Sequence, residues 1–382
     1  MQKRQSLLIV SFSKLKSDPR VKRQIKYLST HYDVTAIGWS DPEIEGVKYI
    51  DASFQLNKWY YLFISLFVFL GFNALYYRLQ QMIRVANKVK PKQTFDLILA
   101  NDIDSVPFVL SLKSSTTKIL FDAHEYAPKE HDDSLLWRML FKRYKTFLIR
   151  KYASKTDGML TVCDGIASEY KKNFNLNPLV ITNAADFRDF EIPNKTSFKI
   201  RLIHHGLALP TRKIENMIYM MDEVDERFEL DLMLVESKSK YYEFLKELVS
   251  QRTNVKLIPS VPTDEIMAFC LNYDIGVYLL EPTNFNNANA LPNKFFEFIQ
   301  SRLAVLIGPS PEMAKIVQHY SLGWVVPDFH PQSFSKILNA LTSEEIEQYR
   351  LNSAKASVKV NSEENMKMLQ EEIVRLLNDS QS

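Results

Sequence analysis

The sequence predicts an α/β protein with two tandem doubly wound parallel-sheet domains of the Rossmann type. Short apolar segments of strand length alternate along the chain with segments of helical periodicity. The alternation restarts after an irregular stretch near residue 190, and 382 residues are enough for two domains. Ligands of such sheets bind at the carboxyl ends of the strands, so we expect the two domains to face each other across a ligand-binding cleft.

Composition excludes several function classes. Apolar residues make up 46% of the chain and charged residues 24%, and the net charge of +3 is too small to imply a nucleic-acid partner. The two cysteines, Cys163 and Cys270, lack ligand-like spacing, which argues against a zinc site or a disulfide framework and suits a reducing cytosol. The apolar run Leu7–Val10 is too short for a signal peptide. No GxGxxG or GxxxxGK[ST] motif occurs, so a dinucleotide fingerprint or a P-loop is unsupported.

The first domain is predicted over residues 1–187, and polar residues follow several of its strands. Asp102 comes after the strand 95–100, His124 and Glu125 come after 118–122, and Asn183 ends the last strand at 179–182. Residues at strand ends are candidates for ligand contacts. Two alternatives stay open: Asp102 as the N-cap of a helix over 105–112, and His124 as a structural histidine.

The segment Trp59–Tyr77 runs for nineteen residues without a charge. Three interpretations are open: a membrane-spanning helix, a buried domain helix, and a membrane-interface helix within 56–92 that turns its cations toward headgroups. These cations are Arg78, Arg84, Lys88 and Lys90. A later helix over 135–152 presents either a solvated face or a patch for anionic lipid or a phosphorylated acceptor, with Arg138, Lys142, Arg143, Lys145, Arg150 and Lys151 as its cations.

A linker is predicted over 188–197, a second domain over 198–345 and a helical tail over 346–382. In the second domain, the strand 200–204 is followed by His205 and Gly206, and a glycine here allows a ligand to approach the backbone. Arg212 and Lys213 then lie at the start of a helix. Two interpretations are open: the two cations form an anion-binding site, or they are solvated surface charges.

The stretch Leu291–Ile307 predicts a loop, a short helix and a buried strand. Lys294 and Glu297 lie three residues apart and therefore on one side of the helix. A cation and a carboxylate near a helix start can bind a phosphate and a ribose hydroxyl respectively. The alternative is an exposed ion pair.

In their order, five stretches of the chain resemble glycosyltransferases of the GT-B fold, and among them family four of the sequence classification. They are residues 18–39, 100–110, 119–125 (ILFDAHE), 160–187, and the pair 200–218 and 291–307. The resemblance covers most of the chain. It implies two Rossmann-like domains in GT-B architecture, an acceptor side in the first and a nucleotide-sugar side in the second.

The resemblance also implies roles for individual residues. His124, Arg212 and Lys294 match catalytic positions, and the acceptor side is matched by Asp102, Glu125, Asn183 and the loop Ser11–Lys16. The donor side is matched by Gly206, Arg212, Ile258, Pro259, Asn289, Lys294 and Glu297. Many family members have a second glutamate eight residues before the one matched by Glu297, whereas this chain has Asn289 there.

The activity implied is transfer of a sugar, of the hexosyltransferase type, from a nucleotide-sugar donor to a lipid-linked or polysaccharide acceptor. Retention of configuration, independence of metals and absence of a cofactor are implied as well. The expected location is the cytoplasm, with peripheral contact to the inner face of the plasma membrane. Three alternatives stay open: a GT-B epimerase, a phosphorylase, and a sugar-nucleotide-binding subunit without catalysis, which Asn289 would suit.

Overall fold

The computed structural model describes residues 4–193, 198–279 and 281–379. The chain divides into two compact units. The first unit contains the chain up to Thr182, the segment Asn284–Asn286 and the chain from Asn365 onward. The second unit contains Asn183–Thr283 and Asn287–Glu364. Each unit is built on one sheet, and the paired strands of the described residues all run parallel, which confirms the predicted fold class.

The sheet of the first unit has seven strands, and its central strands are buried on both faces. This double burial explains their unbroken apolar sequences. The strands are β1 (Ser6–Val10), β2 (Asp33–Gly38), β3 (Lys48–Asp51), β4 (Leu97–Asn101), β5 (Lys118–Ala123), β6 (Gly158–Thr161) and β7 (Leu179–Val180). Their order is β3-β2-β1-β4-β5-β6-β7. The winding reverses between β1 and β4, and a ligand crevice is expected at the carboxyl ends of those two strands.

Seven helices connect these strands. Helix α1 begins at Pro19 because Asp18 caps it, accepting a hydrogen bond from the N–H of Val21. The helices are α1 (Pro19–Leu28), α2 (Lys58–Phe69), α3 (Asn73–Leu79), α4 (Gln81–Val89), α5 (Val106–Leu110), α6 (Leu135–Tyr152) and α7 (Asp164–Phe174).

The uncharged segment Trp59–Tyr77 is not one helix. Helix α2 ends at Phe69, Gly71 adopts a left-handed conformation with φ of +80°, and α3 begins at Asn73. In the described residues, no helix has both the length and the apolar character needed to cross a membrane. The fully buried interpretation is wrong, because α2 buries only Ile64, Ser65 and Val68 and leaves Trp59 83% exposed. The membrane-interface interpretation stays a prediction.

The second unit has a six-stranded sheet in the order β10-β9-β8-β11-β12-β13. The strands are β8 (Ile200–Leu207), β9 (Phe228–Val235), β10 (Val255–Ile258), β11 (Ile275–Tyr278), β12 (Ala304–Ile307) and β13 (Gly323–Val325). The winding reverses between β8 and β11, so the ligand crevice of this sheet is expected where those two strands end.

Helices cover this second sheet as well, and α15 begins with a capping box formed by Thr342 and Glu345. The helices of this part of the chain are α8 (Glu215–Met220), α9 (Lys240–Ser250), α10 (Ile266–Cys270), α11 (Phe285–Ala288), α12 (Asn293–Gln300), α13 (Pro311–Tyr320), α14 (Pro331–Ala340) and α15 (Ser343–Ser357). Part of the predicted linker, residues 194–197, lies outside the described residues.

The last helix, α16 (Ser362–Asn378), returns to the first unit. Its apolar residues recur at helical spacing and join the core of the first sheet, where β1 and β4 contribute Leu7 and Leu97. These helix residues are Met366, Leu369, Ile373, Leu376 and Leu377. The first unit is therefore completed by the C-terminal end of the chain.

Candidate functional site

Lys294 lies at the carboxyl end of β8, at the reversal point of the second sheet. Helix α12 places it there, and only 7% of the residue is exposed. Its Nζ donates a hydrogen bond to the carbonyl of His205 and lies 3.4 Å from Nε2 of His204. No carboxylate of the described chain forms an ion pair with Lys294, so this ammonium group is buried without a directly paired countercharge.

Both histidines beside Lys294 are neutral at neutral pH. Nδ1–H of His204 donates to the carbonyl of Val277 at 2.9 Å, which leaves Nε2 as an acceptor facing the lysine. Burial, followed by the charge of Lys294, holds the pKa of His204 well below its usual value. The same two causes lower the pKa of His205 to about 3. The lysine is therefore solvated by neutral acceptors only.

The surroundings of Lys294 favour loss of its proton. Burial, followed by the positive charge of Arg212, lowers its pKa to about 7 against the opposing effect of the Glu297 carboxylate. A negatively charged ligand at this position would supply the missing countercharge. Two neighbouring cations without a directly paired carboxylate are chemically suited to bind an anion.

Gly206 allows the two cations to converge. Its φ is +134°, and a Cβ atom there would lie 2.8 Å from Nζ of Lys294 and 3.3 Å from Nη1 of Arg212. Arg212 belongs to a 3-10 turn, Pro210–Arg212, and is half-buried. The neighbouring Lys213 is exposed and pairs with Glu281. Of the two predicted cations, Arg212 therefore shares the site with Lys294, and neither lies within helix α8.

Glu297 lies one turn after Lys294 on α12. Its Oε2 is 3.3 Å from Nε2 of His205, and its side chain is 15% exposed. The alternative of an exposed ion pair between Lys294 and Glu297 is wrong, because α12 turns the lysine into the protein interior. Hydrophobic burial of the same helix explains this orientation, since Phe295 and Phe296 are fully buried beside it.

The remaining predicted donor residues lie nearby on the same sheet or precede α12. Ile258, the last residue of β10, pairs with Met233, which pairs with His205, so the three occupy one row across the sheet. Pro259 follows that row and is exposed. Asn289 is half-buried and lies between α11 and α12.

A second group of predicted residues meets at the reversal point of the first sheet. Asp102 follows β4 with a φ of +61°, and its Oδ2 lies 3.6 Å from Nδ1 of His124. Nε2 of His124 is 3.0 Å from Oδ1 of Asn101. The alternative that Asp102 caps α5 is wrong: Ser105 holds the N-cap position, and it contacts the backbone carbonyl of Asp102.

His124 is a cation at neutral pH. Burial alone would lower its pKa, but the carboxylates of Asp102 and Asp122 outweigh burial and raise the pKa to about 9. Both nitrogens of the protonated ring can donate a hydrogen bond. A structural role for His124 is therefore compatible with a contact to a ligand.

Asp122, Arg20 and Gln24 form a buried support that sequence reasoning missed. Nε and Nη2 of Arg20 each donate to Asp122 at 2.8 Å, and Nε2 of Gln24 donates at 2.6 Å. Burial opposes ionisation of Asp122, but Arg20 and His124 keep its pKa well below the usual range. The position of Asp122 on strand β5 is the only sequence feature that points to this group, because Arg20 lies 102 residues away in the chain.

A cavity of about 370 Å³ adjoins this group and is lined by Asp102, His124, Glu125, Glu130 and Lys145 among others. Glu125 accepts a hydrogen bond from Nδ2 of Asn286 at 3.1 Å, and the amide oxygen of Asn286 accepts from the N–H of Tyr126. The sequence offered no signal for Asn286, which lies far along the chain.

Lys145 corrects one sequence prediction. The sequence predicts it on the basic face of the helix over 135–152, which is α6, but its Nζ lies 2.6 Å from Asp104 and 2.9 Å from Glu130. Burial opposes its charge, and the two carboxylates outweigh burial and raise its pKa. Lys145 therefore belongs to the cavity and not to the basic face.

Asn183, the last of the predicted acceptor-side residues, is half-buried. It follows β7 at the point where the chain passes from the first unit into the second. Among the residues that the structure describes, no cluster of three or more His, Cys, Asp or Glu side chains is arranged to hold a metal ion.

Solved structures with the same architecture identify the fold. No protein-family model and no curated protein matches the chain. An α,α-trehalose 6-phosphate synthase from Burkholderia multivorans superposes with a TM-score of 0.69 at 10% identity, covering 100% of this chain and 98% of that one. HepE from Anabaena, in complex with UDP, gives a TM-score of 0.66 at 12% identity, and the similarity covers 97% of this chain and 100% of HepE. The chain has the GT-B fold.

TarM from S. aureus, in a complex with UDP among other ligands, is a partial match. Its TM-score is 0.57 at 14% identity, and the similarity covers 74% of this chain and 55% of TarM. The chain thus spans about half the length of TarM. Identities this low show the fold alone, so membership of glycosyltransferase family four stays a prediction.

Proposed function

We propose that the protein is a glycosyltransferase that uses a nucleotide-sugar donor. The observation that carries the proposal is the buried, unpaired ammonium group of Lys294, which meets Arg212 at the left-handed Gly206. The diphosphate of such a donor is negatively charged, so two cations can bind it, and the glycine between them leaves room for it to approach the backbone. The presence of UDP in the complexes of HepE and TarM supports the same assignment.

In this proposal the leaving diphosphate is the group that the second unit stabilises. Negative charge develops on the leaving oxygen, and Arg212 and Lys294 are placed to offset it. Removing one preorganised contact of this kind reduces the rate by a factor of about 10²–10³. Glu297 would accept a hydrogen bond from a ribose hydroxyl, and Ile258 and Pro259 would border the nucleobase. Asn287 or Asn289 would contact sugar hydroxyls.

The first unit would supply the acceptor side. His124, as a cation, would contact the transferred sugar, while Asp102, Glu125 and Asn183 would line the acceptor position. The acceptor we propose is a lipid-linked or polysaccharide molecule, at the cytoplasmic face of a membrane. Retention of configuration, hexosyl specificity and independence of metals are further parts of the proposal. Analysis of the product anomer and assays with a chelator test them.

The decisive experiment is titration with UDP by calorimetry, followed by donor turnover with a panel of UDP-sugars. We expect Lys294→Met and Arg212→Ala each to weaken UDP binding at least tenfold and to reduce turnover about 10²–10³-fold. Lys213→Ala is the matched control, since Lys213 adjoins Arg212 but pairs with Glu281. Unchanged UDP binding in both site variants would refute the assignment.

A binding subunit without catalysis is the second candidate, and Asn289 in place of a glutamate favours it. It predicts that UDP binds and depends on Lys294, yet no donor is consumed with any acceptor. An epimerase would instead convert one UDP-sugar into another without an acceptor, which product analysis distinguishes from transfer.

A further inference from the structure

Helices α2, α3 and α6 form one surface that is both apolar and basic, and the donor site does not use it. Aromatic contacts hold the three helices together: Tyr61 stacks on Phe141, and Tyr76 packs edge-on against Tyr144 with ring centroids 4.9 Å apart. Nε2 of Gln80 also donates to the hydroxyl of Tyr144 at 2.6 Å. Side chains on these helices are therefore held in fixed relative positions.

The apolar part of this surface is exposed. Helix α2 buries Ile64, Ser65 and Val68 on one side, but its opposite side is apolar too. On that side, residues 59, 62, 63, 66 and 69 recur at helical spacing and are 52–83% exposed. The first turns of α6 add three more apolar side chains that are 64–66% exposed, Leu135, Leu136 and Met139. Of the twenty-four large exposed apolar side chains in the described chain, thirteen lie in residues 56–75 and 135–139. Such concentration marks a contact surface.

A basic groove adjoins the apolar side chains. Its volume is about 1110 Å³, and it runs between the α2–α3 turn and α6. Phe72 and Leu75, both exposed, form part of its wall. No acidic residue lines it, and none of its cations forms an ion pair with a described carboxylate. These cations are Arg78, Arg138, Lys142, Arg143, Arg150 and Lys151.

We propose that this surface docks on a bilayer that contains anionic phospholipids, with the exposed side of α2 and the start of α6 in the interfacial layer and lipid phosphates in the groove. Charge complementarity decides the occupant. Six unpaired cations match a surface of phosphates, and the adjacent apolar side chains match the acyl boundary. A second copy of this chain would place the same cations against one another. This proposal deepens the membrane contact proposed above.

The test is sedimentation of the full chain with vesicles of pure phosphatidylcholine and of phosphatidylcholine with about one-third phosphatidylglycerol. We expect binding to the anionic vesicles only, weakening as salt rises through the physiological range. The triple variant Arg138→Glu, Lys142→Glu, Arg143→Glu should bind at least 100-fold more weakly. The control reverses three exposed lysines of the second unit, Lys238→Glu, Lys240→Glu, Lys246→Glu, and should bind like the wild type.

Insertion of the apolar side has its own measurement. Trp59 is 83% exposed, so its fluorescence should shift to shorter wavelength on anionic vesicles, and Trp59→Phe should reduce that shift. Leu62→Glu with Leu66→Glu should release the protein from vesicles without lowering its melting temperature, because both side chains are exposed.

Three results would overturn the proposal. Absence of vesicle binding would do so, as would equal binding to neutral and anionic vesicles. A dimer in sedimentation velocity that Leu62→Glu with Leu66→Glu dissociates, with no vesicle binding, would assign the surface to self-association. UDP titration of the same variants separates this outcome from the donor-site proposal, since Lys294 and Arg212 lie in the other unit.

Discussion

At the scale of single residues, Lys294 gives the sharpest chemical information. A buried lysine whose hydrogen-bond contacts are the carbonyl of His205 and the neutral imidazole of His204 lacks the directly paired countercharge that buried cations normally have. Such a site is costly to maintain for folding alone. Binding of an anion offers a physical reason for keeping it.

Proton uptake on UDP binding is the prediction that follows for Lys294. With its pKa lowered to about 7, most of the lysine is neutral at pH 8, and a bound diphosphate would raise the pKa and draw in a proton. Calorimetry at pH 8 in buffers of different ionisation enthalpy should show uptake approaching one proton, and affinity should fall as pH rises from 7 to 9. Lys213→Ala should keep the uptake and Lys294→Met should lose it; no uptake in the wild type would contradict the prediction.

At the scale of elements, helices α2 and α16 are both apolar, yet the structure uses them in opposite ways. Helix α16 turns its apolar side into the core of the first sheet. Helix α2 has a buried side and an equally apolar exposed one. Periodicity indicates which residues of a helix share a side, but packing decides which sides are covered.

Removing a core side chain from α16 should destabilise the first unit. Leu369 is fully buried, so Leu369→Ala is expected to lower the free energy of unfolding by about 2–5 kcal/mol. Met368 is 38% exposed, and Met368→Ala should change it by less than about 0.5 kcal/mol. Chemical denaturation of both variants measures the difference, and equal effects would mean that α16 is not an integral part of the core.

At the scale of the whole molecule, the chain leaves the first unit near residue 182 and, apart from the short segment Asn284–Asn286, returns to it at 365. The first unit is thus discontinuous, whereas all of the second lies between Asn183 and Glu364. A fragment of residues 183–364 should therefore fold alone. A fragment of residues 1–187 lacks α16 and exposes the apolar core that the helix covers.

Fragment complementation tests this asymmetry. We expect residues 1–187 to be insoluble or to melt without cooperativity, and co-production with residues 359–382 to restore a cooperative transition. The same segment with Leu369→Asp should fail to restore it. If residues 1–187 alone unfold as cooperatively as the full chain, the predicted dependence on α16 is wrong.

The sequence by itself determined the fold class and most of the candidate positions. Strand-length apolar runs and helical periodicity arise from local geometry, and residues such as Asp102, His124 and Gly206 follow strands that the pattern already indicates. In a parallel sheet, those ends lie on one edge. The resemblance to GT-B glycosyltransferases depended on the same local stretches, and the structure confirmed the fold it implied.

Only the tertiary structure decided which charges are buried, paired or exposed. It turned Lys294 inward, paired Lys145 with Asp104 and Glu130, and placed Arg20 beneath His124 through Asp122. It also brought Asn286 to Glu125 and left one side of α2 uncovered. These outcomes depend on contacts between residues tens to hundreds of positions apart. No local pattern encodes them, because burial is a property of the packed surfaces and not of the segment that carries the residue.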